Sequence, residues 1–376
     1  GNLPAVLGKS MRANLSIEGD VKNIADVKID FYIKTEEFRM AEIARRFIGE
    51  SSKKVPVTID SELWGQFSNK TLTGLRGSVS AKDIVKSPSS GGSELCLSDE
   101  YIQQLSLQFE WNNIDRNWQF LADDIEVATS KRDLEVTQAQ VELQRHSLNA
   151  KTILAHIGAM NIGAICNTLH SYSPHIIRFE DQLKQYRLNA NVENLFIRFD
   201  LKDNHQSSFQ YSGQFNDVAA WIAQGDRSIR GVSGFVVGGD SGGVARLDSS
   251  NIQLGLPVTY PGFDFNFSAN GELEWEHNGD VHIINTDALS IYNDDLSLTA
   301  RVNAKLIGKD LYTDSQIHVD SAKANAVGNY FPLFLKTRTT KKWFTEAIHK
   351  GDVTNATVIM RGTVRAFPFH KQSGVF

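Results

Sequence analysis

Apolar and polar residues alternate along much of this chain, and this alternation constrains its fold more than any other feature. It runs through residues 105–111, 209–215, 263–267 and 296–306. Because successive side chains of a β-strand point to opposite faces, a period of two predicts strands with one apolar and one polar face. Segments rich in Gly, Asn and Asp separate these runs, which favours antiparallel meanders. We therefore predict a mainly β fold, a twisted antiparallel sheet of repeated meanders punctuated by short helical segments.

The chain also repeats itself loosely, at an interval of about 164 residues. The segment that ends at Trp111 corresponds to the segment that ends at Trp275. Residues 191–198 correspond in the same way to residues 352–359, about 161 positions further on. A long-period repeat of this kind is typical of a stackable scaffold with an extended binding surface.

Each of the two tryptophans is followed at the same offset by an aspartate, Asp123 or Asp287. We interpret the aspartates as turn formers, because they occupy equivalent places in different repeats. A Trp near a strand end more often packs against its own scaffold than stacks on a sugar or a base. Trp111 and Trp275 are therefore predicted to be structural.

Helix signals are confined to three zones. The first covers residues 35–47, with acidic residues early and basic residues late, as the helix dipole favours. The second runs from about 150 to 187, and the third begins near 325 and includes residues 340–349. These zones suggest three domains. They are a β-repeat with an N-terminal helix (1–149), a helical segment plus a β-repeat (150–324), and a helical segment that opens the next β-repeat of a longer protein (325–376).

Composition excludes several classes of protein. The net charge is -5 and the pI is about 6.1, without a dense Lys/Arg run, so no nucleic-acid partner is expected. No stretch approaches the roughly 20 apolar residues of a membrane span. Neither the scattered histidines nor Cys96 and Cys166 have metal-ligand spacing, and a disulfide between the two cysteines is allowed but not implied. We expect no metal and no cofactor.

One segment imitates a catalytic motif. Residues 239–243 spell the Gly-Asp-Ser-Gly-Gly loop in which chymotrypsin-like proteases carry their nucleophilic serine. That chemistry also needs a histidine base, and the nearest echo, His156, lies in a helical pattern without the usual neighbouring cysteine. The simpler interpretation is a glycine-rich hairpin between two strands. We therefore predict that the chain is not an enzyme.

Several blocks resemble the AsmA-like family of Gram-negative envelope proteins. The most specific blocks are residues 328–332, 343–348, 361–362 and 367–369; residues 190–195, 231–234 and 271–275 follow the family order upstream. The resemblance implies a bridge-like lipid carrier with a chorein-like repeating β-groove. It implies an inner-membrane anchor and a periplasmic bulk that moves phospholipid towards the outer membrane. The partners it implies are phospholipids, both membranes through parts of the protein outside this chain, and other envelope proteins.

The residues themselves support a groove. A sheet with one apolar face must close on itself, pack against a second sheet, or leave a curved groove that acyl chains fill. We expect the groove, with the helical zones covering it rather than plugging it. On one strand we place residues 195, 197 and 199 in the groove, because the opposite set contains Arg198. The predicted lipid-binding residues are Leu105, Leu107, Phe109, Leu195, Ile197, Phe199, Phe209, Tyr211, Phe263, Phe265, Phe267 and Leu298.

The alternative is a non-enzymatic structural or assembly scaffold of the cell envelope. In that case the apolar faces would pack against each other, and no lipid would accompany the protein.

Overall fold

Antiparallel β-strands account for nearly all of the structure, a computed structural model. It describes residues 4, 7–20, 27–39, 57–84, 101–115, 117–130, 133–146, 150–165, 186–201, 207–222, 227–257, 264–308, 310–326, 329–330, 350–366 and 374–375. The strands in the first half of the chain are β1 (Ser10–Glu18), β2 (Lys28–Arg39), β3 (Thr58–Ser68), β4 (Thr71–Lys82), β5 (Ile102–Ile114), β6 (Asn117–Thr129), β7 (Asp133–Arg145), β8 (Lys151–Asn161) and β9 (Tyr186–Leu201).

The second half contains β10 (Ser207–Ile222), β11 (Arg227–Gly239), β12 (Gly242–Gly255), β13 (Asp264–Asn278), β14 (Val281–Tyr292), β15 (Leu296–Ile307), β16 (Asp310–Lys323) and β17 (Asp352–Thr363), followed by a 3-10 turn (Val364–Ala366).

The strands fall into two compact units. Unit 1 comprises residues 1–184 and 191–209, and unit 2 comprises residues 185–190 and 210–376, so β9 and β10 each contribute to both. From β1 to β9 every strand pairs antiparallel with the next one along the chain. The same holds from β10 to β17. The predicted mainly β, antiparallel meander fold is confirmed, while the predicted domain boundaries at 149/150 and 324/325 stay a prediction.

The predicted helix over residues 35–47 is wrong in its first part. Residues 35–39 continue β2, and Thr35 lies opposite Ser61 on β3. The acidic start and basic end of this segment imitate a helix dipole. However, Phe31 and Ile33 fix a period of two that carries the strand onward. Residues 40–47 lie outside the described part of the chain.

The predicted helical zone over residues 150–187 is also wrong over most of its described part. Residues 151–161 form β8, and only residues 162–165 are helical. Ile153 and Ile157 are four apart, a spacing that a helix face and a strand face share, so the apolar residues alone did not distinguish the two. Residues 166–185 of this zone, and residues 331–349 of the third zone, lie outside the described residues.

The sequence repeat recurs in the backbone. Asn194 on β9 and Asn355 on β17 occupy the same place in residues 191–198 and 352–359, and both are left-handed, with φ of 50° and 54°. Asparagine tolerates this conformation better than most residues, so both strands carry the same local irregularity at the same sequence position.

The two repeat aspartates do not form turns, contrary to the prediction. Asp123 lies within β6, next to the left-handed Asp124 (φ 48°). Asp287 lies within β14, where the register with β15 shifts between Thr286 and Leu289. An extra residue of this kind bends a strand and increases its twist. Both aspartates therefore mark bulges inside long strands.

Candidate functional site: the apolar face of each unit

Register decides which side chains share a face, because residues directly opposite each other on paired strands point to the same side of the sheet. In unit 1, Val79 lies opposite Leu107, and Phe109 lies opposite Ala122. The apolar face of unit 1 comprises Ile29, Phe31, Ile33, Leu63, Phe67, Leu75, Val79, Leu105, Leu107, Phe109, Trp111, Phe120, Ala122, Ile125, Val127, Ala139, Val141, Leu143, Ile153, Ala155, Ile157, Leu195, Ile197 and Phe199.

Unit 2 repeats this arrangement on its own strands. Phe267 lies opposite Ile252, and Ala300 lies opposite both Leu289 and Ile317. The apolar face of unit 2 comprises Tyr211, Phe215, Ile229, Val236, Ala245, Leu247, Ile252, Leu254, Phe265, Phe267, Leu273, Trp275, Ile284, Leu289, Ile291, Leu298, Ala300, Val302, Ile317, Val319, Val358 and Met360.

The apolar face of unit 1 has a packed centre. Ala122 and Ile125 are buried, and the side chains packed against them come from neighbouring strands: Leu105, Leu107, Phe109, Phe120, Val127, Ala139 and Ile157. The rings of Phe109 and Phe120 stack with centroids 5.6 Å apart. Most side chains of this face are only half-buried. In the packed centre, the buried part of each side chain contacts neighbouring side chains of the same face. Apolar surface therefore remains available on this face.

The opposite face of each unit is polar and charged. In unit 1 the Tyr32 hydroxyl donates to Glu62 (2.9 Å), and the Lys34 ammonium donates to the same carboxylate (3.2 Å). The hydrogen bond from Tyr32, followed by that from Lys34, lowers the pKa of Glu62. Ion pairs between exposed groups such as these contribute little to stability, so this face is a solvated surface.

A depression of about 690 Å³ lies on the polar face of unit 2, where β14 bulges. Two of its carboxylates are paired with arginines, Asp287 with Arg301 (3.5 Å) and Asp314 with Arg361 (2.8 Å). Within the described residues, no group of three or more His, Cys, Asp or Glu side chains could hold a metal ion. The depression is therefore a charged surface lined by exposed ion pairs.

Two aromatic rings on the apolar face of unit 2 lie over glycines. A Cβ atom at Gly238 would sit 2.7 Å from the Tyr211 hydroxyl oxygen and 3.1 Å from the Trp275 ring. A Cβ atom at Gly243 would sit 2.5 Å from the same Trp275 ring. Gly238, just before the protease-like segment, and Gly243, at its end, therefore leave room for two large rings. Trp275 packs on its own scaffold, as predicted.

The protease-like segment itself is a hairpin. Gly239 ends β11, Gly242 begins β12, and the two are directly paired. The His277 backbone N–H donates to the carbonyl oxygen of Ser241 (2.7 Å), which ties this hairpin to β13. The predicted glycine-rich hairpin is confirmed. His156, the only candidate base weighed for Ser241, lies on a strand of unit 1 rather than in a helix.

A tyrosine from the segment between β16 and β17 reaches the apolar face of unit 2. The ring of Tyr330 lies 5.7 Å from that of Phe265, and the Asn293 side-chain amide donates to the Tyr330 hydroxyl (2.9 Å). Burial raises the pKa of Tyr330. The sequence alone does not predict this contact, because its three residues lie far apart along the chain and only the fold brings them together.

Ten of the twelve predicted lipid-binding residues are members of the apolar faces defined above, and Phe263 is outside the described residues. Leu195, Ile197 and Phe199 point to the same side as β8 residues Ile157, Ala155 and Ile153, respectively. Phe209 is two residues before Tyr211 on β10 and so shares its side of the sheet. Contact of these side chains with lipid stays a prediction.

No helix among the described residues is long and apolar enough to cross a membrane. No curated protein and no solved structure matches the chain. A family model, described as the YhdP protein, matches residues 5–376. Since this match covers nearly the whole chain, including the blocks that resemble AsmA-like proteins, the chain belongs to the YhdP family.

Proposed function

We propose that the apolar faces of this chain bind phospholipid acyl chains and conduct lipids across the periplasm, between the inner and outer membranes. One observation carries the proposal: each unit has a broad apolar face on which most large side chains are only half-buried, opposite a face of solvated ion pairs. Each CH₂ group removed from water contributes about 0.8 kcal/mol, so acyl chains laid on such a face bind without any specific polar contact.

The uniform chemistry of each apolar face also allows a bound lipid to move along it. Successive strands present similar Leu, Ile, Val and Phe side chains, so an acyl chain that shifts along the face exchanges one set of contacts for an equivalent set. Many weak and similar contacts hold a ligand without fixing it at one place. Membership of the YhdP family supports a role in the Gram-negative envelope. The periplasmic location and the inner-membrane anchor belong to this proposal.

The proposal includes no chemical step. Among the described residues the Ser241 hydroxyl makes no hydrogen bond to a base, and only its backbone carbonyl accepts a hydrogen bond from the His277 N–H. We expect Ser241→Ala to leave lipid binding unchanged, whereas any hydrolytic activity that depended on this serine would disappear.

Photo-crosslinking tests the proposal with neighbouring positions on opposite faces. Benzoylphenylalanine would replace Leu107 or Phe267 on the apolar faces, and Gln108 or Asn266 as matched controls on the polar faces. Ultraviolet irradiation of the protein in cells, followed by mass spectrometry, should show phospholipid adducts at the first pair only. Equal adducts at all four positions, or none at any, would favour the scaffold in which the apolar faces only pack against protein.

A further inference from the structure

The apolar face of unit 1 changes character at one end. Along β7 and β8 the facing pairs are Ala139 with Ile157, Val141 with Ala155, and Leu143 with Ile153. The next facing pair, at the end where the chain turns from β7 to β8, is Arg145 with Lys151. The register has no shift between these pairs, so the two cationic side chains project from the same side as the apolar rows.

These two cations have no carboxylate partner among the described residues. The nearest acidic groups along these strands, Glu142 and Asp200, occupy positions of the opposite parity and already have partners. Glu142 accepts hydrogen bonds from the side chains of Gln119 and Gln140. Asp200 accepts hydrogen bonds from the side chains of Thr152 and Arg198. Like charges directly opposite each other on paired strands repel, so this pair is unfavourable unless an anion lies between its members.

We infer that Arg145 and Lys151 bind the phosphate of a lipid whose acyl chains lie on the adjoining rows of the apolar face. The inference rests on the proposed function, because it assumes that the tails occupy that face. The order along β7 and β8, three apolar pairs and then a cationic pair, matches the order of a phospholipid from tail to phosphate. A guanidinium binds phosphate oxygens through two parallel hydrogen bonds, and an ammonium adds a compact point charge.

The surroundings of the pair fit a lipid at the boundary between apolar surface and water. Arg145 is exposed and Lys151 is half-buried, so both heads can reach solvent. Trp118 lies opposite Leu143 one row inward, and Leu201 lies opposite Lys151. A tryptophan ring has an apolar body and a polar N–H, which suits it to the level of a glycerol backbone.

The test compares two lipids with identical fluorescent acyl chains, phosphatidylglycerol and uncharged diacylglycerol. Their dissociation constants are measured by fluorescence anisotropy for the unaltered chain, for Arg145→Gln/Lys151→Gln, and for the control Arg12→Gln/Arg76→Gln. The control removes the same charge from the polar face of unit 1. We expect the first variant to bind phosphatidylglycerol about tenfold more weakly, with diacylglycerol unchanged, and the control to match the unaltered chain. Circular dichroism verifies that both variants are folded.

Three outcomes would overturn the inference. If both lipids bind but the two variants behave alike, there is no phosphate site at Arg145 and Lys151, while the proposed function stands. If neither lipid binds the unaltered chain, the proposed function fails and this site fails with it. The third outcome concerns inorganic phosphate, whose binding is measured by calorimetry. If phosphate alone binds the unaltered chain tightly and does not bind Arg145→Gln/Lys151→Gln, the two cations form a site for free phosphate rather than for a lipid.

Discussion

Glycines at particular positions decide how closely the strands of unit 2 approach each other. Gly231 has φ of 76°, and a Cβ atom there would lie 2.1 Å from the carbonyl oxygen of Asn251 on the next strand. Gly279, in the turn between β13 and β14, has φ of 58° with nothing within 4 Å of the Cβ position. The two glycines share a left-handed backbone and differ in their surroundings.

This contrast predicts different costs for the same substitution. Gly279→Ala should destabilise unit 2 by about 1 kcal/mol, the cost of a left-handed alanine. Gly231→Ala adds a clash with the Asn251 backbone, beside the Arg230–Gln253 pair of β11 with β12, so we expect a total of about 3 kcal/mol. Urea unfolding followed by circular dichroism measures both. Equal midpoints for the two variants would show that the close approach at Gly231 relaxes freely.

The Tyr330 hydroxyl gives a second residue-scale prediction. Tyr330→Phe removes the hydrogen bond from Asn293 and should destabilise unit 2 by about 1 kcal/mol at neutral pH. Burial raises the folded-state pKa of Tyr330 above the usual 10.0 of tyrosine, so above that pH the unfolded chain holds fewer protons than the folded one. Stability should therefore fall as the pH rises above about 10.

The variant also serves as the control for that pH dependence. Tyr211 is a second tyrosine whose pKa burial raises, so the decline should be smaller in Tyr330→Phe but not abolished. Thermal melts at pH 8 and at about pH 10.5 measure the difference. A variant that lost as much stability as the unaltered chain over this range would contradict the burial of the Tyr330 ring.

At the scale of strands, the repeat predicts that Asn194 and Asn355 respond alike. Each is a left-handed residue within a long strand, so replacement by glycine should be tolerated. Replacement by valine, whose branched side chain opposes this conformation, should cost about 1–2 kcal/mol. Parallel unfolding measurements on the four single variants test this. Valine accepted at one site but not at the other would mean that the two strands are similar in sequence only.

Strand-scale prediction from the sequence succeeded where one pattern was unambiguous and failed where two patterns overlapped. Residues 105–111 and 296–306 alternate strictly, and both lie in strands as predicted. β8 was missed because Ile153, Ile157 and Met160 also satisfy a helical period, and pairing with β7 and β9 decides between the two. The aspartates at two bulges, Asp123 and Asp287, were mistaken for turn formers, since the same residue types favour turns and bulges.

At the scale of the whole chain, both units share one design, an apolar face opposite a charged face. The sequence predicted this design because alternation assigns faces without knowledge of the partner strand. It did not predict which side chains meet across a face, such as Phe109 with Phe120, because register depends on the turns and bulges along every strand.

Transport requires that a bound lipid moves along the apolar face, whereas binding alone does not. A charge placed on the path of an acyl chain should slow movement along the face, so Leu298→Asp should reduce lipid transfer between donor and acceptor vesicles about tenfold. Thr299→Asp adds the same charge to the polar face of the same strand and should leave the rate unchanged. Equal rates for the two variants would contradict a route along the apolar face of unit 2.

Native mass spectrometry of the purified chain, with extraction and identification of bound lipid, tests whether the apolar faces bind phospholipid. We expect phospholipid on the unaltered chain and its loss in Phe199→Asp and Phe265→Lys, which charge the apolar faces. The matched controls Phe196→Asp and Phe235→Lys alter side chains that are 40% and 43% exposed on the polar faces, and they should retain the lipid. A lipid-free unaltered chain, or equal loss of lipid in all four variants, would contradict the binding of phospholipid to the apolar faces.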